Sequence, residues 1–437
     1  MSLLEKIIFY ATIFLAPFNI KKFVANPLSV EPLTEFGALF LYLSDILIVI
    51  LLALWLYKSL FQKKLKIKKL TALTISFLSF GLFLTLSLFS SKNLTISFYF
   101  LVKISLLIGF YYYIRLKIKK DELVNVYKII FMGSIVQSLI ALGQYIKQGS
   151  LGLRYLGESV VAPNLYGVAK IDFLGQKIIR SYGTFSHPNI LAVFLLVSIC
   201  CVLWLVLKHK KPVYLIGLPI LVLGLILTFS RTTVFLGLIF FLLFFFYSWL
   251  KAKPLNFSRK MVTGSFSVFL SSVIAVFIVF SPLLIQRFNI QKEDQAVSLR
   301  VFYNNAAFNI IKKSPLTGVG LGNFIIKLRE IYPSLASWQY QPVHNIYLLI
   351  FSEIGLFGLI AFLFILFLIF KDYLRSKVYG LKLVFFGGLG IVFLVIGFVD
   401  HFFFTINQGM LLFWLILGII SSKITIVPKN KEIKNEG

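Results

Sequence analysis

Apolar runs alternate with polar connectors along the whole chain. Twelve such runs stand out, at about 5–20, 38–57, 71–90, 96–114, 123–145, 188–207, 212–229, 232–250, 262–284, 345–370, 380–399 and 402–422. A helix rises 1.5 Å per residue, so roughly 20 apolar residues cross a hydrocarbon layer of about 30 Å. The pattern predicts an all-α fold: a polytopic membrane helix bundle of about twelve transmembrane helices, forming a single domain over residues 1–437. The first run is short and is expected to lie partly in the interface. It follows Lys6 and lacks a small-residue cleavage site, which points to a retained helix rather than a removed signal peptide. Two polar intervals, 146–187 and 285–343, are too long for turns. The second has apolar residues at Val301, Ala306, Phe308 and Ile311, an amphipathic spacing, so this large loop is expected to be partly helical.

Charge orients the pattern. Basic residues cluster after every even-numbered run: Lys63, Lys64, Lys66, Lys68 and Lys69; Arg115, Lys117, Lys119 and Lys120; Lys208, Lys210 and Lys211; Lys251, Lys253, Arg259 and Lys260; Lys371, Arg375 and Lys377; Lys423, Lys429, Lys431 and Lys434. Cytoplasmic loops carry such an excess, so both termini, with a polar tail over 427–437, are expected in the cytoplasm. Both long loops then face outward, periplasmic in a cell with an inner membrane. The composition, 59% hydrophobic and 17% aromatic, excludes an ordinary soluble domain. The net charge of +28 resides largely in these connectors, so no nucleic-acid partner is implied. Cys200 and Cys201 are adjacent within an apolar run, where a disulfide between them is not expected.

Candidate chemistry gathers on the outward side. Three of the four histidines, His187, His344 and His401, stand there, each at the edge of a run; His209 lies in a basic connector. Arg180, Arg231, Arg300 and Asp400 share that side, as does Asp45. Ionisable groups in membrane segments are costly and tend to mark sites. Their placement at one face favours chemistry on a lipid-linked substrate over transport, whose sites usually lie near the midplane. Lys103 and Glu353 are the best midplane candidates for a transporter or flippase. A purely structural membrane protein would not need so many cations and imidazoles on one face.

Each residue also has a plainer reading. Arg231, in a short turn, can snorkel to lipid phosphates or be held in place by that turn. Arg180 precedes Gly183 and the helix-opening Pro188-Asn189, which suits an ordered turn as well as a binding one. Arg300 can occupy a solvated helix face. His344, before Asn345 at the mouth of the tenth run, can cap a helix or take a proton from a hydroxyl near neutral pH. Glu353 lies nine residues on and suits a structural role better than direct partnership with His344. Gly355 and Gly358 would let a neighbouring helix approach. Asp400 and His401 suit an acceptor-orienting role or an interfacial ion pair. The glycines of GVGLGNF precede no P-loop lysine. No Asp-x-Asp, zinc spacing or Gly-x-Ser-x-Gly elbow occurs, so no metal or other cofactor is expected.

Five stretches carry a resemblance: RSYGTFSHPNILA at 180–192, LTFSR at 227–231, SLRVFYNNAAFNIIKKSPLTGVGLGNF at 298–324, HNIYLLIFSEIGLFGL at 344–359 and DHFFFTINQGMLLFWL at 400–415. Through them the chain resembles the O-antigen ligase and O-antigen polymerase superfamily. The resemblance implies a metal-independent enzyme, without nucleotide, at the outer face of the inner membrane. It would move a glycan from an undecaprenyl-pyrophosphate carrier to an acceptor hydroxyl, on lipid A core for a ligase or on a second lipid-linked repeat for a polymerase. It assigns Arg180, Arg231 and Arg300 to the pyrophosphate and His344 to catalysis, as base or orienting group. Asn345, His187, Asn189, Glu353, Asp400 and His401 are the expected supporting residues.

Overall fold

The structure is a computed structural model that describes residues 1–28, 35–61, 70–251, 258–289, 295–375 and 383–422. The connectors bearing Lys63 to Lys69, Lys253 and Lys377, part of the large loop at 290–294, and the tail with Lys423, Lys429, Lys431 and Lys434 lie outside the described residues.

The fold is mostly helical. In chain order the helices are α1 (Leu3–Leu15), α2 (Leu43–Phe61), α3 (Ala72–Leu86), α4 (Leu94–Lys117), α5 (Lys120–Lys147), α6 (Pro188–His209), α7 (Leu218–Leu227) and α8 (Arg231–Leu250). There follow α9 (Arg259–Phe288), α10 (Gln295–Lys313), α11 (Phe324–Ile331), α12 (Ile346–Arg375), α13 (Gly388–Gly397), α14 (Phe402–Thr405) and α15 (Asn407–Ile420). Two antiparallel pairs complete it, β1 (Lys21–Ala25) with β2 (Leu39–Tyr42), and β3 (Lys170–Phe173) with β4 (Gln176–Ile179).

Among the described residues, eight helices are long and apolar enough to cross a membrane: α2, α3 with its 3-10 extension, α4, α5, α6, α8, α9 and α12. The other predicted runs hold shorter helices, α1, α7, α13 and α15. At 1.5 Å per residue the 14 residues of α15 rise about 21 Å, less than the hydrocarbon layer. A helix that short is tolerated at membrane depth when protein surrounds it, and every residue of α15 is buried. The run at 402–422 is thus not one helix. It breaks at Ile406, whose backbone is extended, and Gly409 lets the Phe402 carbonyl come where a Cβ would sit 2.4 Å away.

At the centre stands α6, whose apolar span is wholly buried, packed against α5, α7 and α8. An α-helix apolar all round is either lipid-exposed or a core element, and here it is the core. By contrast, only 22% of the apolar window of α2 and of α9 is buried, which leaves their flanks for lipid.

The large loop is locked onto α12 at a break. Gly355 has φ 82° and ψ −177°, and a Cβ there would stand 2.0 Å from the Leu316 carbonyl oxygen. Backbone groups freed by the break pair with the loop: Leu356 N donates to Pro315 O, Val319 N to Ser352 O and Gly320 N to Glu353 O, each at 2.9 Å. Irregular backbone at membrane depth survives when its polar groups find such partners. Gly355 therefore admits the loop, not a neighbouring helix as its spacing suggested. Gly358 does face α3, where Phe83 Cβ would lie 3.8 Å from an added Cβ.

Candidate active site

Four segment ends bring the candidate residues together: the entry to α6, the turn between α7 and α8, the entry to α12, and the 400–401 corner before α14. Asp400 is the hub. Its Oδ2 accepts from Asn189 Nδ2 at 2.7 Å and its Oδ1 from the His401 backbone N–H at 2.9 Å. Asn189 Oδ1 in turn accepts from the Arg180 guanidinium at 2.5 Å. An amide thus relays between a buried cation and a buried anion.

The imidazoles surround this hub. His401 meets His344 edge to face at 4.8 Å, and its Nδ1 pairs with Thr405 Oγ1 at 2.7 Å. His344 lies nearly parallel to the Tyr303 ring of α10, 5.7 Å away. Tyr303 is held by its hydroxyl, which donates to the Gln339 carbonyl at 2.5 Å. His187 caps α6, its Nδ1 accepting from Asn189 N at 3.2 Å, with Pro188 in the first turn where its missing N–H costs nothing. Asn345 plays the same part for α12. Its Oδ1 accepts from Tyr347 N at 2.9 Å and Leu348 N at 3.0 Å, which anchors the peptide that presents His344.

Burial sets the protonation states. It holds His344 below the ordinary imidazole value, with Arg300 helping and Asp400 and the Pro342 backbone opposing. Burial also takes His187 and His401 down to about 3; Arg180 next opposes the charged form at His187, and His344 does so at His401. Burial would raise Asp400, but the imidazoles and Asn189 outweigh it and keep the carboxyl ionised. The rings are therefore neutral at pH 7 beside a carboxylate. The Nδ1 of His344 is buried and lacks a hydrogen-bond partner among the described residues. A neutral imidazole with an unengaged nitrogen can accept a proton.

The arginines converge on the α7–α8 turn. Arg180 Nε donates to Thr228 O at 2.7 Å, Arg287 Nε to Phe229 O at 3.3 Å, and Arg231 to the Arg287 carbonyl at 3.5 Å. Phe229 adopts φ 47°, a left-handed conformation unusual outside glycine, which these bonds help to hold. Burial lowers Arg180 to about 9, and Arg287 and then Arg231 lie among the cations that lower it further. Three guanidinium groups are thus held at one turn, and such forks have the charge and geometry that suit an anion. Arg300, on α10, acts on the imidazoles: its charge opposes protonation of all three.

Arg287 was not among the residues singled out by sequence. The apolar run ends at 284, but α9 continues to Phe288 and so carries Arg287 into the cluster. A usable signal existed, namely an arginine just after an odd-numbered run, where the charge alternation leaves few cations. Glu353 lies elsewhere. Its carboxylate accepts from Gly322 N at 2.9 Å and Phe324 N at 3.2 Å, capping the loop and the start of α11. Among the described residues no group of three or more His, Cys, Asp or Glu is arranged to hold a metal ion.

Residues 216–363 match the family model described as O-antigen ligase. The matched stretch contains Arg231, Arg287, Arg300, His344, Asn345 and Glu353; Arg180, His187, Asn189, Asp400 and His401 join them from outside it. No curated protein matches the chain. The likeness of this membrane protein to the O-antigen ligase family thus rests on residues 216–363.

Proposed function

We propose that the protein is a ligase-type glycosyltransferase. It moves a glycan from an undecaprenyl-pyrophosphate carrier to an acceptor hydroxyl at the outer face of the inner membrane. The observation that carries this reading is the junction just described. An arginine cluster suited to a diphosphate adjoins neutral imidazoles gathered around one carboxylate.

In this reading Arg180, Arg231 and Arg287 hold the pyrophosphate. The acceptor oxygen attacks the anomeric carbon as the bond from that carbon to the pyrophosphate oxygen breaks. Negative charge grows on the leaving group, and the guanidinium groups stabilise it. The acceptor hydroxyl's proton passes to Nδ1 of His344. Asp400, already anionic, stabilises the imidazolium that forms, and Tyr303 fixes the ring plane. Attack opposite the leaving group would invert the anomeric centre.

A translocation function draws less support. The two charges that sequence offered for it are satisfied inside the protein. Lys103 donates to both oxygens of Asp45, at 2.6 and 2.5 Å, and Glu353 accepts two backbone amides. Replacing His344 with Ala in cells lacking the native gene tests the proposal. The expected result is loss of attached surface glycan with the protein still present in membranes; unchanged glycan refutes it. In deletion cells, loss of all attached polymer fits a ligase, whereas single repeats on the anchor fit a polymerase.

A further inference from the structure

Beside the imidazoles lies a second polar cluster that the transfer step leaves unused. Asn19 follows α1, Lys21 opens β1, Glu35 precedes β2, Ser186 precedes His187 and Gln408 lies on α15. Glu35 Oε1 accepts from Ser186 Oγ at 2.8 Å, from Asn19 Nδ2 at 3.1 Å and from the Lys21 ammonium. Gln408 Oε1 steadies Ser186 by accepting its backbone N–H at 3.1 Å. Every one of these donors to Glu35 falls on the same carboxylate oxygen. Among the described residues the other, Oε2, is buried without a hydrogen-bond partner, and so is Asn19 Oδ1, in a residue only 3% exposed. Buried acceptors without donors are costly, and each calls for an explanation, such as a ligand or water that supplies the donors.

The cluster adjoins the site by two short links. Phe36, next to Glu35, packs edge-on against His401 at 5.4 Å, and Ser186 is bonded directly to His187. It also reaches the surface, since the Lys21 and Glu35 side chains are 24% and 12% exposed. Burial opposes ionisation of Glu35, but Lys21 and the other donors prevail, so both oxygens act as acceptors.

We propose that Glu35 Oε2 and Asn19 Oδ1 form the acceptor subsite, each taking a hydroxyl of one uncharged sugar ring while a further hydroxyl faces His344. This rests on the transfer reading above. The chemistry names the ligand class. Two acceptor atoms require O–H donors, which the hydroxyls of a sugar supply, and Lys21 is already paired with Glu35, so the pair offers no spare cation for a phosphorylated or carboxylated sugar.

The test uses the full-length chain in lipid nanodiscs, with two lipid fractions from a deletion strain: the polyprenyl-linked fraction as donor and the remaining lipid as acceptor. Initial transfer rates are measured while each fraction is titrated separately. Half-saturation does not depend on how much of a preparation is folded. Glu35→Met and Asn19→Ala are each expected to raise the half-saturating acceptor fraction about tenfold and to leave that of the donor unchanged, with Glu35→Gln in between. Unchanged acceptor dependence in both variants overturns the subsite and leaves bound water as the partner of these atoms. Equal shifts for donor and acceptor overturn it as well. Wild-type protein that transfers nothing, with donor binding indifferent to Arg231→Ala, overturns the transfer reading itself.

Discussion

Two buried carboxylates make an instructive pair. Glu353, inside α12, is saturated by backbone: Gly322 and Phe324 amides fill its oxygens, and its own carbonyl receives Gly320. Asp400 is held by an amide side chain and one backbone N–H, and its neighbours are ionisable rings, one with an unengaged nitrogen. The first arrangement locks a loop to a broken helix. The second leaves capacity for a proton and a substrate. Backbone partners cannot titrate or leave, so a carboxylate that they satisfy serves architecture; one surrounded by imidazoles can serve chemistry.

The contrast can be broken experimentally. His344→Ala is expected to lower the transfer rate about 10²- to 10⁴-fold, the usual worth of a positioned acid–base group, without lowering thermal stability in detergent. A large loss of stability would move His344 to the architectural side. Lys103→Ala leaves Asp45 buried and unpaired and should cost about 3–5 kcal/mol in stability, seen as reduced resistance to unfolding, with substrate half-saturation unaffected. Glu353→Ala strips two amides of their acceptor and should cost about 2–4 kcal/mol, with the surviving folded fraction keeping near-normal activity. A selective catalytic loss there would erase the distinction between the two carboxylates.

Acid supplies a subtler probe. His187, His344 and His401 are depressed in the folded state, so the unfolded chain binds more protons below its ordinary imidazole value of 6.5. Stability should be full above that value and decline as pH falls below it. The transfer rate should stand above half its plateau at pH 6.5 and fall at lower pH, as the depressed His344 ring takes up a proton. A rate already halved at 6.5 would mean an ordinary, exposed imidazole. The smallest effect is expected at Asn345→Ala. Loss of the α12 cap should cost about 1 kcal/mol in stability, with a modest loss of rate as the peptide bearing His344 loosens.

Hydropathy and charge are local properties, so the amino-acid sequence alone determined much. It specified a helical membrane protein, the edges at which His187, His344 and His401 stand, and the turn that offers Arg231. It also placed Asn345 at the mouth of the tenth run and favoured a structural role for Glu353, since both readings depend on spacing along one run. Contacts between distant segments were decided only in three dimensions. The Arg180–Asn189–Asp400 relay joins residues more than two hundred positions apart. Arg287 enters the arginine cluster because α9 outlasts its apolar stretch. The kink at Gly355 exists because the 315–320 backbone supplies partners for the peptide groups it frees. Phe36, next to Glu35, meets His401 from the far end of the chain. A periodic pattern states which face of a helix avoids water; which neighbour that face meets is settled by packing the whole bundle at once.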